Sequence, residues 1–174
     1  YPNQSGYCST DPRNTIDSLA LYTQNGDFEK GLYYAKILSN QYLKQTKYQE
    51  LCHVVAHEAA IYNQLGDNKK SLEILFKTLK TIQNKNEDFG KVILLKKIAE
   101  IYTSMKDYKK AKSNLYSALN KMKTVKSDSL LNRINQSLFK NHMLTESDSS
   151  FFYLQKVNHY YKKIGDDLSY YILY

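Results

Sequence analysis

The sequence predicts an all-α protein built as a stack of helix hairpins, and three observations carry that prediction. Prolines stand only at positions 2 and 12, so the chain from residue 13 to its end runs without one. Proline disrupts helix interiors, and a strand-and-turn chain of this size normally uses several. Three columns of identical residues recur every 40 positions: Tyr22, Tyr62 and Tyr102; Asp27, Asp67 and Asp107; Lys30, Lys70 and Lys110. Self-similarity of that kind marks a repeat architecture. Finally, Gly26 and Gly66 fall just before two of the aspartates, where a helix would end in the left-handed conformation that glycine tolerates.

The elements follow in order. Residues 1–12 read as an N-terminal arm. Asp11-Pro12 reads as a helix start, an N-cap followed by proline at the first helical position. The first hairpin spans 13–25 and 28–45, with Leu19-Ala20-Leu21-Tyr22 before the glycine and Asp27 as N-cap of the second helix. The second spans 48–65 and 68–84 around Ala59-Ala60-Ile61-Tyr62 and Gly66-Asp67. The third spans 88–105 and 108–123 around Ala99-Glu100-Ile101-Tyr102. There Lys106 replaces glycine, so that turn is expected to be strained or differently shaped. Gly31, Ser71 and Ala111 share one column of small residues, which lets the two helices of each hairpin approach closely. Each column tyrosine is expected on the packed face of its helix, with its hydroxyl reaching an edge. A degenerate fourth hairpin spans 128–144, with apolar Leu131, Ile134, Leu138 and Phe139, and 148–163, capped by Ser147-Asp148. Gly165-Asp166 breaks the chain, and a final helix starts at 166.

Composition narrows the function classes. The formal charge is +8, from 25 Lys and Arg against 17 Asp and Glu, yet only Arg13 and Arg133 are arginines. Arginine is the residue expected at bidentate base or phosphate contacts, whereas lysines spread over helix faces solvate them. Nucleic acid is therefore not the expected partner; an acidic one is favoured by the positive charge. No stretch approaches the ~18 continuous apolar residues of a membrane span. Tyr1 to Asp11 has neither the basic start nor the apolar core of an intact signal peptide. Cys8 and Cys52 form no CxxC or zinc pattern. Two alternatives stay open: a Cys8–Cys52 disulfide in an oxidising compartment, or unpaired thiols with Cys52 partly in the core. The chain has 17 tyrosines. Most are expected between helices, but neighbours such as Tyr33-Tyr34, Tyr160-Tyr161 and Tyr170-Tyr171 diverge, so some must be exposed, as interfaces favour.

Motifs for catalysis are missing. There is no phosphate-binding loop, no GxGxxG and no GxSxG. His53 and His57 lie four apart and share a helix face, a spacing that can hold a metal, but Glu58 follows the second histidine and the HExxH order is not made. We read the pair as packing or surface residues. Glu87-Asp88 and Asp166-Asp167 stand at helix starts, where carboxylates favour the helix dipole, and read as caps. No cofactor, no metal and no enzymatic activity are expected.

The small–x–x–Tyr, Gly-Asp-aromatic, small and late apolar positions resemble the tetratricopeptide repeat family. They are carried by Ala59, Tyr62, Gly66, Asp67, Ser71 and Leu75, and again by Ala99, Tyr102, Asp107, Tyr108, Ala111, Leu115 and Ala118. The period of 40 departs from the family's usual 34, and no proline follows the second helices. The longer period and Asp17-Ser18-Leu19 resemble the N-terminal repeat arrays of bacterial signalling proteins. These include the extracytoplasmic sensor regions of Bacteroidetes-type histidine kinases and transcription regulators, and the cytoplasmic peptide-binding regulators of Firmicutes. The resemblance implies a right-handed superhelix of about four hairpins plus a final helix over 13–174, as part of a longer chain. An extracytoplasmic placement is slightly favoured over a cytoplasmic one. It implies a protein or peptide ligand on the concave face formed by the first helices. Carried over by the tyrosine column, that face is Arg13, Ile16, Ala20, Thr23 and Gln24, then His53, Ala56, Ala60, Asn63 and Gln64, then Ile93, Lys96, Glu100, Thr103 and Ser104. In the fourth unit the register is open by one residue, and Asn135, Phe139, His142 and Met143 are the positions chosen there. The family's carboxylate clamp is present only as a fragment, Asn63 and Lys96, since Ala60 occupies the place of a second asparagine. The apolar segment from Leu168 to Tyr174 suggests a homodimer contact or a chain that continues. A sensor or regulatory domain is the leading expectation; a self-standing scaffold or co-chaperone is the alternative.

Overall fold

The computed structural model of the chain describes residues 16–145 and 148–166. Eight α-helices follow one another: α1 (Ile16–Asn25), α2 (Phe28–Lys44), α3 (Tyr48–Gln64), α4 (Asn68–Thr81), α5 (Asp88–Ser104), α6 (Tyr108–Lys121), α7 (Asp128–Met143) and α8 (Ser149–Ile164). The class is all-α, and the described residues contain no strand. The helices fall where the repeat predicts them, except that α4 and α6 end earlier than expected and leave 82–87 and 122–127 as links. The N-terminal arm, the Asp11-Pro12 start, the Cys8 half of the proposed disulfide and the final helix all lie outside the described residues. Cys52 is a free, wholly buried thiol.

The second helices show why the period is strict. Gly31, Ser71 and Ala111 are buried, as are Ala35, Leu75 and Leu115, and Leu38, Thr78 and Ala118. The same helical positions thus face inward in three successive hairpins, as one apolar stripe at 3.6 residues per turn requires. The small column works by contact. A Cβ on Gly31 would stand 2.6 Å from Ile61 Cδ1, and Ser71 donates its hydroxyl to the carbonyl of Ala59 at 2.7 Å.

The turns within hairpins share one closure. The amides of Asp27, Asp67 and Asp107 donate to the carbonyls of Tyr22, Tyr62 and Tyr102 at 3.0, 2.8 and 2.9 Å. The residue between has φ of 75° at Gly26, 83° at Gly66 and 61° at Lys106. This is the six-to-one bond of a Schellman cap, which needs a left-handed residue at its pivot. Lys106 therefore keeps the same turn at a strained φ rather than reshaping it. The aspartates then begin the next helices. Asp67 and Asp107 accept from the amides of Lys70 and Lys110. Asp27 makes no such cap bond and instead pairs with Lys30 Nζ at 2.8 Å.

Stacking is linear. Each helix packs on its neighbours in sequence, and the first helices also pack on one another, α1 on α3, α3 on α5 and α5 on α7, whereas the backbones of the second helices do not approach one another closely. The first helices thus form a continuous layer with the second helices packed beside it, an order that fits an α-solenoid. Its core runs from Leu19, Leu38 and Ile61 through Leu75, Leu94 and Ile98 to Leu115, Ile134 and Leu138, all wholly or almost wholly buried. The fourth hairpin departs from this apolar order. Asn132 and Asn135 occupy the columns of Cys52 and Val92 and of Val55 and Leu95, and the Oδ1 of each is buried without a partner.

Candidate binding face of the first helices

The first-helix layer presents its polar side as one face running over α3, α5 and α7. Two hollows lie along it. One, of about 210 Å³, is lined by His53, Ala56 and His57 of α3, by Phe89, Ile93, Lys96 and Lys97 of α5, and by Ser127, Ser129, Leu130 and Arg133 at and within the start of α7. The other, of about 240 Å³, is lined by Ala99, Glu100, Thr103 and Ser104 of α5 and by Ser137, Lys140, Asn141 and Leu144 of α7 and its end. The helical period explains the lining: 93, 96, 97, 100, 103 and 104 are successive same-face positions of one helix.

The predicted site residues divide accordingly. His53 and Lys96 line the first hollow; Glu100, Thr103 and Ser104 line the second. Asn63 bridges α3 to α5, its Nδ2 donating to Ser104 Oγ at 2.9 Å and to Asn68 Oδ1 at 2.6 Å. Ala60 is half-buried and Gln64 exposed, and neither lines a hollow. Gln24 is exposed at the end of α1, away from both.

The fourth-unit expectation needs correction. His142 is buried, its Nε2 2.9 Å from Tyr116 Oη and its ring stacked on Tyr153 at 5.3 Å. Asn135 is buried on the far side of α7, Phe139 packs into the core and Met143 is exposed outside both hollows. The residues that do face the groove are Arg133, Ser137, Lys140, Asn141 and Leu144. Extending the 40-residue register would have found three of them, since 93, 100 and 104 lead to 133, 140 and 144. The degenerate sequence around Phe139 pulled the alignment out of register.

Charge is concentrated in the first hollow and its border. Lys96 and Lys97 both pair with Glu100, Lys97 Nζ at 2.6 Å from Oε2. Burial pushes the Glu100 carboxyl up, but Lys97 and Lys96 outweigh it and hold the group below its ordinary range. Burial lowers Lys96 despite Glu100. His57 is lowered to about 4 by burial first and then by Lys97, His53 and Arg133. Burial and Arg133 lower His53 as well, against Glu50. Both histidines are therefore neutral at pH 7. Three cations, Lys96, Lys97 and Arg133, stand against Glu100 and the Glu50 carboxylate that acts on His53, so the region is net positive. Arg133 is exposed, and its guanidinium makes no hydrogen bond or ion pair among the described residues.

Metal chemistry finds no constellation here: among the described residues no group of three His, Cys, Asp or Glu side chains converges. The Cys52 thiol is pushed up to about 12, by burial and then by Glu87, which keeps it protonated. No helix among the described residues is long and apolar enough to cross a membrane.

Fold and face together define an all-α, solenoid-like stack of helix hairpins with a grooved face on its layer of first helices. No family model matches the sequence, and no curated protein matches it. Among solved structures, that of BtubC (BKLC) from P. vanneervenii is similar, with a TM-score of 0.50 and 11% identity over 95% of this chain and 89% of that one. At that identity the likeness concerns the fold alone.

Proposed function

We propose that the chain is a tetratricopeptide-type binding domain that holds a protein or peptide segment along its first helices, rather than an enzyme. The observation that carries this reading is the continuity of the face. Two hollows lie along it, one over α3, α5 and α7 and the other over α5 and α7, lined by polar and apolar side chains of stacked helices. Grooves of that kind suit an extended or helical segment laid across successive repeats. The regulatory role, as the sensor part of a bacterial signalling or transcription regulator, is supported by the sequence resemblance and its 40-residue period.

Selection from a random peptide library displayed on phage tests the binding reading. Binders are expected whose amide-resonance perturbations map to Lys96, Thr103, Ser137 and Lys140, and whose affinity falls at least tenfold in Thr103→Arg. Binders that map only to the outer helices α2, α4 and α6, or selection that yields none, would overturn it.

A further inference from the structure

The first hollow carries more than its share of a generic binding face. Its floor is apolar, from Phe89, Ile93 and Leu130, and its rim is cationic. Of the rim cations, Lys96 and Lys97 are committed to Glu100, whereas the Arg133 guanidinium has no partner among the described residues. Two neutral imidazoles, His53 and His57, form the opposite wall.

We propose that this hollow receives an acidic side chain of the bound segment, and that His57 takes up a proton as the carboxylate enters. The inference rests on the binding reading above. Its geometric basis is the placement of an uncommitted guanidinium across a small cavity from two histidines. A planar guanidinium presents paired donors that match a carboxylate. The fixed Glu100 and the small apolar floor favour a single carboxylate over a polyphosphate backbone. The proton follows from what holds His57 neutral. Among the described residues the groups that oppose its protonation are Lys97 of α5, Arg133 of α7 and, once it is itself protonated, His53 of its own helix; α1, α2 and α4 set no charge against it. A carboxylate between Arg133 and His57 offsets that repulsion and raises the imidazole toward its ordinary range. Proton and anion then bind cooperatively, and affinity rises as pH falls.

The test uses the chain as it stands, with ¹³C-labelled histidine rings and two blocked probes, acetyl-Gly-Glu-Gly-Glu-Gly-amide and its glutamine counterpart. The glutamate probe is expected to shift the His53 and His57 ring signals and to bind about fourfold tighter at pH 5.5 than at pH 7.5, where its own carboxylates stay largely ionised. Arg133→Gln is expected to weaken it about tenfold, while Lys162→Gln, which removes the same charge from an exposed site on α8, changes it less than twofold. His57→Gln is expected to bind with little pH dependence. Equal losses in Arg133→Gln and Lys162→Gln would reduce the effect to overall charge and overturn the proposal. Equal binding of both probes at the hollow would overturn the acidic preference yet leave the binding reading standing. Failure of both probes would overturn the acidic site, with the library selection still judging the face itself. Unchanged pH dependence in His57→Gln would remove the proton step. Tighter displacement by oligouridylate at the same signals would turn the site to nucleic acid and overturn the proposal.

Discussion

The amide of Asp107 donates to the carbonyl of Tyr102 at 2.9 Å, the same closure that Asp67 makes to Tyr62 at 2.8 Å, although Lys106 stands where Gly66 provides the pivot. The bond geometry is kept and the strain falls on Lys106, at φ 61°. Thr46 sits at φ 55° in the α2–α3 turn, and its β-branch makes that conformation costlier still.

Lys106→Gly is therefore expected to stabilise the protein by roughly 0.5–1 kcal/mol, and Thr46→Gly by at least as much. Urea unfolding measures both. A loss of stability in either would show that the left-handed pivot is not strained.

Ser71 is wholly buried, and its hydroxyl hydrogen-bonds to Ala59 across the α3–α4 hairpin. Ser71→Ala removes one hydrogen bond and is expected to cost roughly 0.5–1.5 kcal/mol. Ser71→Leu must force the helices apart and is expected to cost roughly 1–3 kcal/mol or more. Thermal melts of the two variants should therefore rank Ala above Leu. The reverse ranking would mean that the small column does not set the helix approach.

Gly31 packs against the end of the Ile61 side chain. A Cβ there would stand 2.6 Å from Ile61 Cδ1, and Ile61 is wholly buried. Gly31→Ala gains helix propensity of roughly 0.5–1 kcal/mol but is expected to be destabilising on balance, because the clash costs roughly 1–3 kcal/mol. Ile61→Val removes the clashing methyl. In a double-mutant cycle Gly31→Ala should be neutral or stabilising on the valine background, with a coupling of roughly 1 kcal/mol. Additive effects would contradict the contact.

His57 ties stability to pH. Its folded value, about 4, lies below the ordinary value near 6.5. Between those values the unfolded chain binds a proton that the folded chain does not. The contribution is full above pH 6.5 and is lost as pH falls toward 4. In His57→Gln the loss between pH 6.5 and 4.5 is expected to be smaller by roughly 1–2 kcal/mol, discounted for the part of the ring that water reaches. Denaturation at pH 7.5, 6.5, 5.5 and 4.5 compares the slopes, and identical slopes would rule out this origin.

The sequence by itself determined the repeat. Forty-residue columns of Tyr, Asp and small residues are local and steric in origin, since a Schellman pivot, an N-cap and a close helix approach each restrict one position. These marks therefore survive in the chain and place the six helices of the first three hairpins, with α4 and α6 ending early. They also placed His53, Lys96, Glu100, Thr103 and Ser104 on the grooved face, because a helix face follows from spacing alone. Tertiary structure decided what no local rule encodes. Arg133 lies 80 residues from His53 and joins it only because α3, α5 and α7 stack side by side. His142 looked like a surface residue and is buried because α6 and α8 bring Tyr116 and Tyr153 to it. The neutrality of His57 likewise comes from burial and from charges on two other helices. Periodicity fixes which way a side chain faces; only packing fixes what it meets there.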